Sequence, residues 1–184
     1  EMKSYLLKRS SGPAQLNLTM KYFFFLLLFS GCLSGSAQPG KYAGTKKSLI
    51  GKEYTDSRLM PGLKSWTFRE GTLINSLQDP EWFMADIFQK GTTMVVVISV
   101  KADTASETYS IIDIIEVKGV AKGWTIHAGS CRQNKINNAW LIVWGKETTQ
   151  EYMKTIKKAW RFNPDKRRVE AIPVKGVDCE NIGC

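Results

Sequence analysis

Between positions 94 and 144 the chain carries four short apolar segments, and this run constrains the fold more than any other feature. They are 94–100 (Met-Val-Val-Val-Ile-Ser-Val), 109–117, 124–128 and 139–144. Their β-branched and aromatic side chains suit a pleated surface, so segments of this length and make-up read as strands. The polar link 101–108 and Asn- and Lys-rich turns separate them. Strands joined by short links pair antiparallel, because parallel neighbours need a crossover of a dozen or more residues. An antiparallel meander is therefore expected.

Flanking segments extend this reading. Trp66-Thr67-Phe68-Arg69 places two aromatics at alternate positions before Glu70-Gly71, which fits a strand running into a turn. Asp79-Pro80-Glu81 supplies an N-cap, a proline at the first helical position and an early acid. Phe83, Met84, Ile87 and Phe88 follow at helical spacing, with Gly91 as a stop. A short helix is expected there, and a strand entering a hairpin at Lys90-Gly91 is the alternative.

The period changes at Thr148. Thr148-Thr149-Gln150-Glu151 has the spacing of a capping box, and Tyr152, Met153, Ile156, Ala159 and Trp160 follow at helical intervals until Asn163-Pro164. Residues 169–174 read as a last strand leading to Cys179. The expected fold class is α+β: an antiparallel meander sheet with a C-terminal helix packed across it.

The domain organisation follows from the N-terminal third. Residues 20–37 have the three-part layout of a bacterial secretory signal: Met20-Lys21, the apolar run Tyr22-Phe23-Phe24-Phe25-Leu26-Leu27-Leu28-Phe29, then small residues. The run is far shorter than the roughly 20 apolar residues that span a bilayer. Gly35-Ser36-Ala37 predicts cleavage after Ala37, while Phe29-Ser30-Gly31-Cys32 offers a lipobox-like alternative with lipid attachment at Cys32. Residues 1–19 read as upstream translation from a mis-set start, with a genuine N-terminal extension as the alternative, 38–48 as a flexible leader and 49–184 as one domain. The expected location is periplasmic or extracellular. Its only membrane link would be an outer-membrane lipid anchor at Cys32.

The 26 lysines and arginines outweigh 17 aspartates and glutamates, giving a formal charge of +9. A basic exported protein meets anionic envelope polymers and acidic exported proteins before nucleic acid, so those are the partners expected. Beyond the signal stand Cys131, Cys179 and Cys184. In an oxidising compartment a Cys131–Cys179 bridge is preferred. It would close a long loop and stabilise by about 4 kcal/mol in the loop-entropy model. Cys179–Cys184, a local clip on the tail, is the rival pairing.

Ala159-Trp160-Arg161, Val169-Glu170-Ala171-Ile172 and Gly176-Val177-Asp178-Cys179-Glu180-Asn181 resemble the tail of a group of small uncharacterised exported bacterial proteins. Cys131-Arg132, after a strand containing Asp113, fits the same pattern. The resemblance spans about residues 60–182 and implies no activity, cofactor or catalytic residue. The terminal Ile182-Gly183-Cys184 departs from it.

Catalytic chemistry is sparsely represented. His127 is the sole histidine, and no Cys-x-x-Cys or His-x-x-x-His spacing supports a metal. No cofactor signature is present, since the glycines and Lys52-Glu53 of segment 44–53 miss the phosphate-loop pattern. His127 and Cys131 could pair as base and thiolate only if Cys131 were not bridged. Asp113, set among Ile111, Ile112, Ile114 and Ile115, must reach water or a partner such as Arg132 or Arg161.

Binding residues are easier to propose. Lys154, Lys157, Lys158 and Arg161 fall on the polar face of the expected helix, within a cluster that continues to Lys166, Arg167 and Arg168. Trp140, Trp144 and Trp160 belong to the core, leaving Trp66, Trp82 and Trp124 to offer exposed faces for sugar rings. The expected function is non-enzymatic binding of an anionic polymer or exported protein. The alternatives are a hydrolase using a buried carboxylate such as Asp113, or an inhibitor of a secreted hydrolase such as lysozyme.

Overall fold

The computed structural model describes residues 48–101 and 105–181. The signal, Cys32, almost all of the leader and Cys184 lie outside the described residues. Among the described residues, thirteen strands and one 3-10 turn at Ser57–Leu59 follow in chain order. They are β1 (Glu53–Tyr54), β2 (Thr67–Leu73), β3 (Trp82–Lys90), β4 (Thr93–Lys101), β5 (Tyr109–Val117), β6 (Trp124–Ala128) and β7 (Cys131–Gln133). After these come β8 (Ile136–Asn137), β9 (Leu141–Lys146), β10 (Tyr152–Met153), β11 (Ile156–Asn163), β12 (Arg168–Ile172) and β13 (Val177–Glu180).

The described strands form three sheets, ordered β1-β5-β4-β3-β2, β12-β11-β9-β6 and β10-β13-β7-β8. All pairings are antiparallel. The meander expected from the sequence exists as β3-β4-β5. It does not run on through 124–128 and 139–144, because β6 pairs with β9 in the second sheet.

The expected α+β class is wrong: the described chain is almost entirely β and has no C-terminal helix. Residues 152–163 form β10 and β11 instead. The reason lies in two cores and a bulge. Met153 and Ala159 are buried between the second and third sheets, whereas Trp160 and Phe162 are buried between the first and second. A register shift between Ile156 and Lys158 breaks the alternation of β11. The bulge returns Ile156 and Ala159, three positions apart, to one core while Trp160 serves the other, and this spacing mimics a 3.6-residue period.

The same confusion affects 79–90, where the strand alternative holds. Phe83, Ala85 and Ile87 face the central core while Phe88 packs on the opposite side of the sheet. β2 also runs through Glu70-Gly71 to Leu73 rather than turning there, with a bulge at Arg69.

Burial on both faces explains the unbroken apolar run in β4. Met94, Val96, Ile98 and Val100 enter the core shared with the second sheet, which includes Ile126, Ile142, Trp144, Trp160 and Phe162. Val95 and Val97 enter another core beneath Leu49, Tyr54, Met60 and Leu63 of the first described segment. The third sheet covers the far face of the second through Leu141, Val143, Val177 and the cystine.

That cystine is Cys131–Cys179, which joins β7 to β13 and excludes the pairing of Cys179 with Cys184. It favours an oxidising, non-cytoplasmic setting.

Candidate functional site

The bulge in β11 decides where the basic residues go. Lys157 and Lys158 are exposed and adjacent, and Lys158 stands opposite Trp144 of β9 in the ladder. The Lys157 ammonium lies 4.2 Å from the Trp144 ring centroid and 5.6 Å from that of Trp124. The two rings meet edge to face at 6.0 Å. Opposite Trp124 in the β6–β9 register stands Lys146. No carboxylate among the described residues forms an ion pair with Lys146, Lys154, Lys157 or Lys158. One end of the second sheet therefore carries Lys146, Lys157 and Lys158, none of them in an ion pair, with Lys157 over a tryptophan pair.

Beside this cluster lies a cavity of about 290 Å³, lined by Lys146, Thr148, Gln150, Tyr152, Lys154 and Thr155, with Glu147 also on its wall. Its loop is held by the tail. Asn181 Nδ2 donates to the carbonyls of Thr148 and Gln150, and Asn181 N donates to Glu151 O at 2.8 Å. Gln150 N donates to Thr148 Oγ1 at 3.1 Å, and Lys146 N donates to Thr155 O at 2.9 Å. The Arg132 guanidinium stacks 3.5 Å from the Tyr152 ring centroid while pairing with Asp178 through two hydrogen bonds. Cys179, two residues before Asn181, ties this support to the disulfide.

The seven residues expected to bind are thus divided. Lys154, Lys157, Lys158 and Trp124 share this region, on strands and loop rather than on a helix face. Arg161 is half-buried and donates to Gln133 Oε1 of the third sheet. Trp66 is half-buried against the core beneath the first described segment. Trp82 belongs to a separate cluster, with Lys101 5.1 Å from its ring centroid.

Asp113 is also corrected. It is buried, but its partners are not Arg132 or Arg161: Oδ1 accepts from Ile114 N at 2.9 Å and Oδ2 from Val169 N at 2.6 Å. The carboxylate fastens β12, an edge of the second sheet, against β5 of the first. His127 and Cys131 cannot act as a base and thiolate pair, because the sulfur is in the disulfide. Burial pushes the His127 imidazole down from its ordinary value, against an opposing pull from Glu147.

Sequence reasoning missed a buried polar group around Asp86. Tyr54 Oη donates to Asp86 Oδ2 at 2.6 Å and lies 2.6 Å from Ser99 Oγ. Asp86 Oδ1 is buried without a hydrogen-bond partner, and a Cβ on Gly71 would meet it at 2.5 Å. Burial raises the Asp86 carboxyl above the usual range, with Tyr54 and Ser57 pulling the other way. Burial, then Asp86, also pushes Tyr54 far up. The helical reading of 79–90 hid this group by sending Asp86 to solvent. Enclosed among Phe88, Val95, Val97 and Ile111, it ties β1 to β3 and β4.

The chain matches no protein-family model, no curated protein and no solved structure. Among the described residues no group of three or more His, Cys, Asp or Glu side chains is placed to hold a metal ion.

Proposed function

We propose that this protein is an exported binding module, acting in the periplasm or outside the cell, that holds an anionic polymer at the lysine–tryptophan end of its second sheet. The single observation carrying the reading is Lys157 poised over Trp124 and Trp144, with Lys146, Lys154 and Lys158 nearby and no acidic partner for any of them. Unpaired ammonium groups on a rigid sheet attract a polyanion over long range, and the half-buried Trp124, seated on the core residue Trp144, supplies flat apolar contact. Export rests on the signal layout of 20–37 and agrees with the cystine.

Retention of the full chain on immobilised dextran sulfate tests the reading. Reversal of both Lys157 and Lys158 to Glu should abolish retention at 0.1 M salt. It should lower stability by only about 0.5–1 kcal/mol, the Lys157–tryptophan contact, since both side chains are otherwise exposed. Unchanged retention by the folded double variant would reject this surface.

A second reading, inhibition of a secreted hydrolase such as lysozyme, is favoured by the β7–β8 hairpin. Asn134 and Lys135 have positive φ at its tip, next to Ile136, which is 72% exposed. The tip is braced by Asn134 N donating to Gly176 O at 2.7 Å. A lysozyme clearing assay should then show inhibition that Ile136→Asp removes.

A further inference from the structure

We infer that the cavity beside the lysine–tryptophan end is a subsite for one acidic sugar residue, so that the polymer held there is an acidic polysaccharide. This rests on the binding reading above and narrows it to a ligand class.

A polyanion recognised by charge alone requires only exposed cations. Here the surface holds more. The cavity next to Lys146 and Lys154 is walled by neutral hydrogen-bonding side chains: the amide of Gln150, the hydroxyls of Thr148 and Thr155, and the phenol of Tyr152. Amides and hydroxyls both donate and accept, which matches the paired donor and acceptor character of sugar hydroxyls. The space is about 290 Å³, a shallow depression half open to solvent. That suits a single ring of a longer chain. Glu147 adds a carboxylate that can accept from sugar hydroxyls, and it disfavours a ligand that is charged all round.

The loop backbone and Tyr152 are also held before any ligand arrives. Asn181 spans two carbonyls of the loop, Thr148 caps Gln150 N, and Arg132 stacks on Tyr152 while held by Asp178. Such a loop loses little freedom on binding. Because Lys146 lies opposite Trp124 in the ladder, a chain leaving the cavity past Lys146 reaches the Trp124 face, where a neighbouring ring can stack. A carboxylate on the bound ring would be met by Lys146 and Lys154. Uronate, sulfated and phosphorylated sugars share this chemistry of an anion on a polyhydroxylated ring.

Calorimetric titration of the full chain with polygalacturonate, trigalacturonate, polyglutamate and single-stranded DNA tests the subsite. A sulfated and a phosphorylated oligosaccharide distinguish the source of the anion. The expected result is that trigalacturonate or one of these oligosaccharides binds saturably. Gln150→Ala with Thr155→Val should then weaken that binding tenfold or more while leaving polyglutamate affinity unchanged. Equal binding of polyglutamate and polygalacturonate, with the double variant neutral, overturns the sugar subsite and leaves the polyanion reading intact. Tighter binding of DNA than of every saccharide also overturns it. If none of the polyanions binds, the polyanion reading itself fails. Circular dichroism of the double variant separates a lost contact from a lost fold.

Discussion

At Asp86 the chain places a carboxyl in an apolar layer with one strong donor, Tyr54, and leaves its other oxygen without one. Desolvation is the largest influence on it and raises its pKa, outweighing the contrary effects of Tyr54 and Ser57. A carboxyl that holds its proton more tightly folded than unfolded stabilises the fold fully below the unfolded value of about 4. That contribution is lost as pH rises through the raised folded value. Urea midpoints should therefore decline over this interval, and Asp86→Asn should flatten the decline; an identical slope in the variant would contradict this role. Tyr54→Phe removes the donor from a buried carboxyl and should cost about 1–3 kcal/mol in the same assay. Gly71→Ala should destabilise as well, because its new methyl group would crowd Asp86 Oδ1.

Strand β11 shows what a single element can conceal. Read as a helix, Met153, Ile156, Ala159 and Trp160 make one stripe; in the fold Met153 of β10 joins Ile156 and Ala159 in one core, which the bulge at Lys157 makes possible, and Trp160 enters the other. Sequence periodicity reports which residues are buried, but not that a strand can bury both faces. The strands β4, β5, β6 and β9 were legible because their β-branched runs are continuous, whereas two-residue strands such as β1 and β10 leave no periodic trace. Of the site, Lys154, Lys157, Lys158 and Trp124 were legible as residues. Their meeting was not, since it depends on the β6–β9–β11 ladder, and the cavity depends on Asn181 reaching back to the 148–151 loop.

Asp113→Ala strips the acceptor from Val169 N, so β12 amides should exchange faster while β3 and β4 stay protected; unchanged exchange in β12 would remove Asp113 as the fastener. Reduction of Cys131–Cys179, with a sequence separation of 48, should cost about 4 kcal/mol by denaturant titration. The loss should centre on β7 and β13.

For the molecule as a whole, layering and charge act together. The first described segment, three sheets and a cystine bury apolar residues on both faces of the first and second sheets, which gives rigid platforms for surface groups. An excess of basic residues surrounds those platforms, and at the β6–β9–β11 end the lysines remain unpaired. Binding there should weaken as salt shortens the Debye length from about 10 Å at 0.1 M to about 3 Å at 1 M. Hydrogen–deuterium exchange of the full chain with and without polygalacturonate tests the central claim most directly. The account predicts new protection confined to 123–125 and 144–158. Protection centred instead on Trp82 and Lys101, or on the 133–136 hairpin, would contradict it.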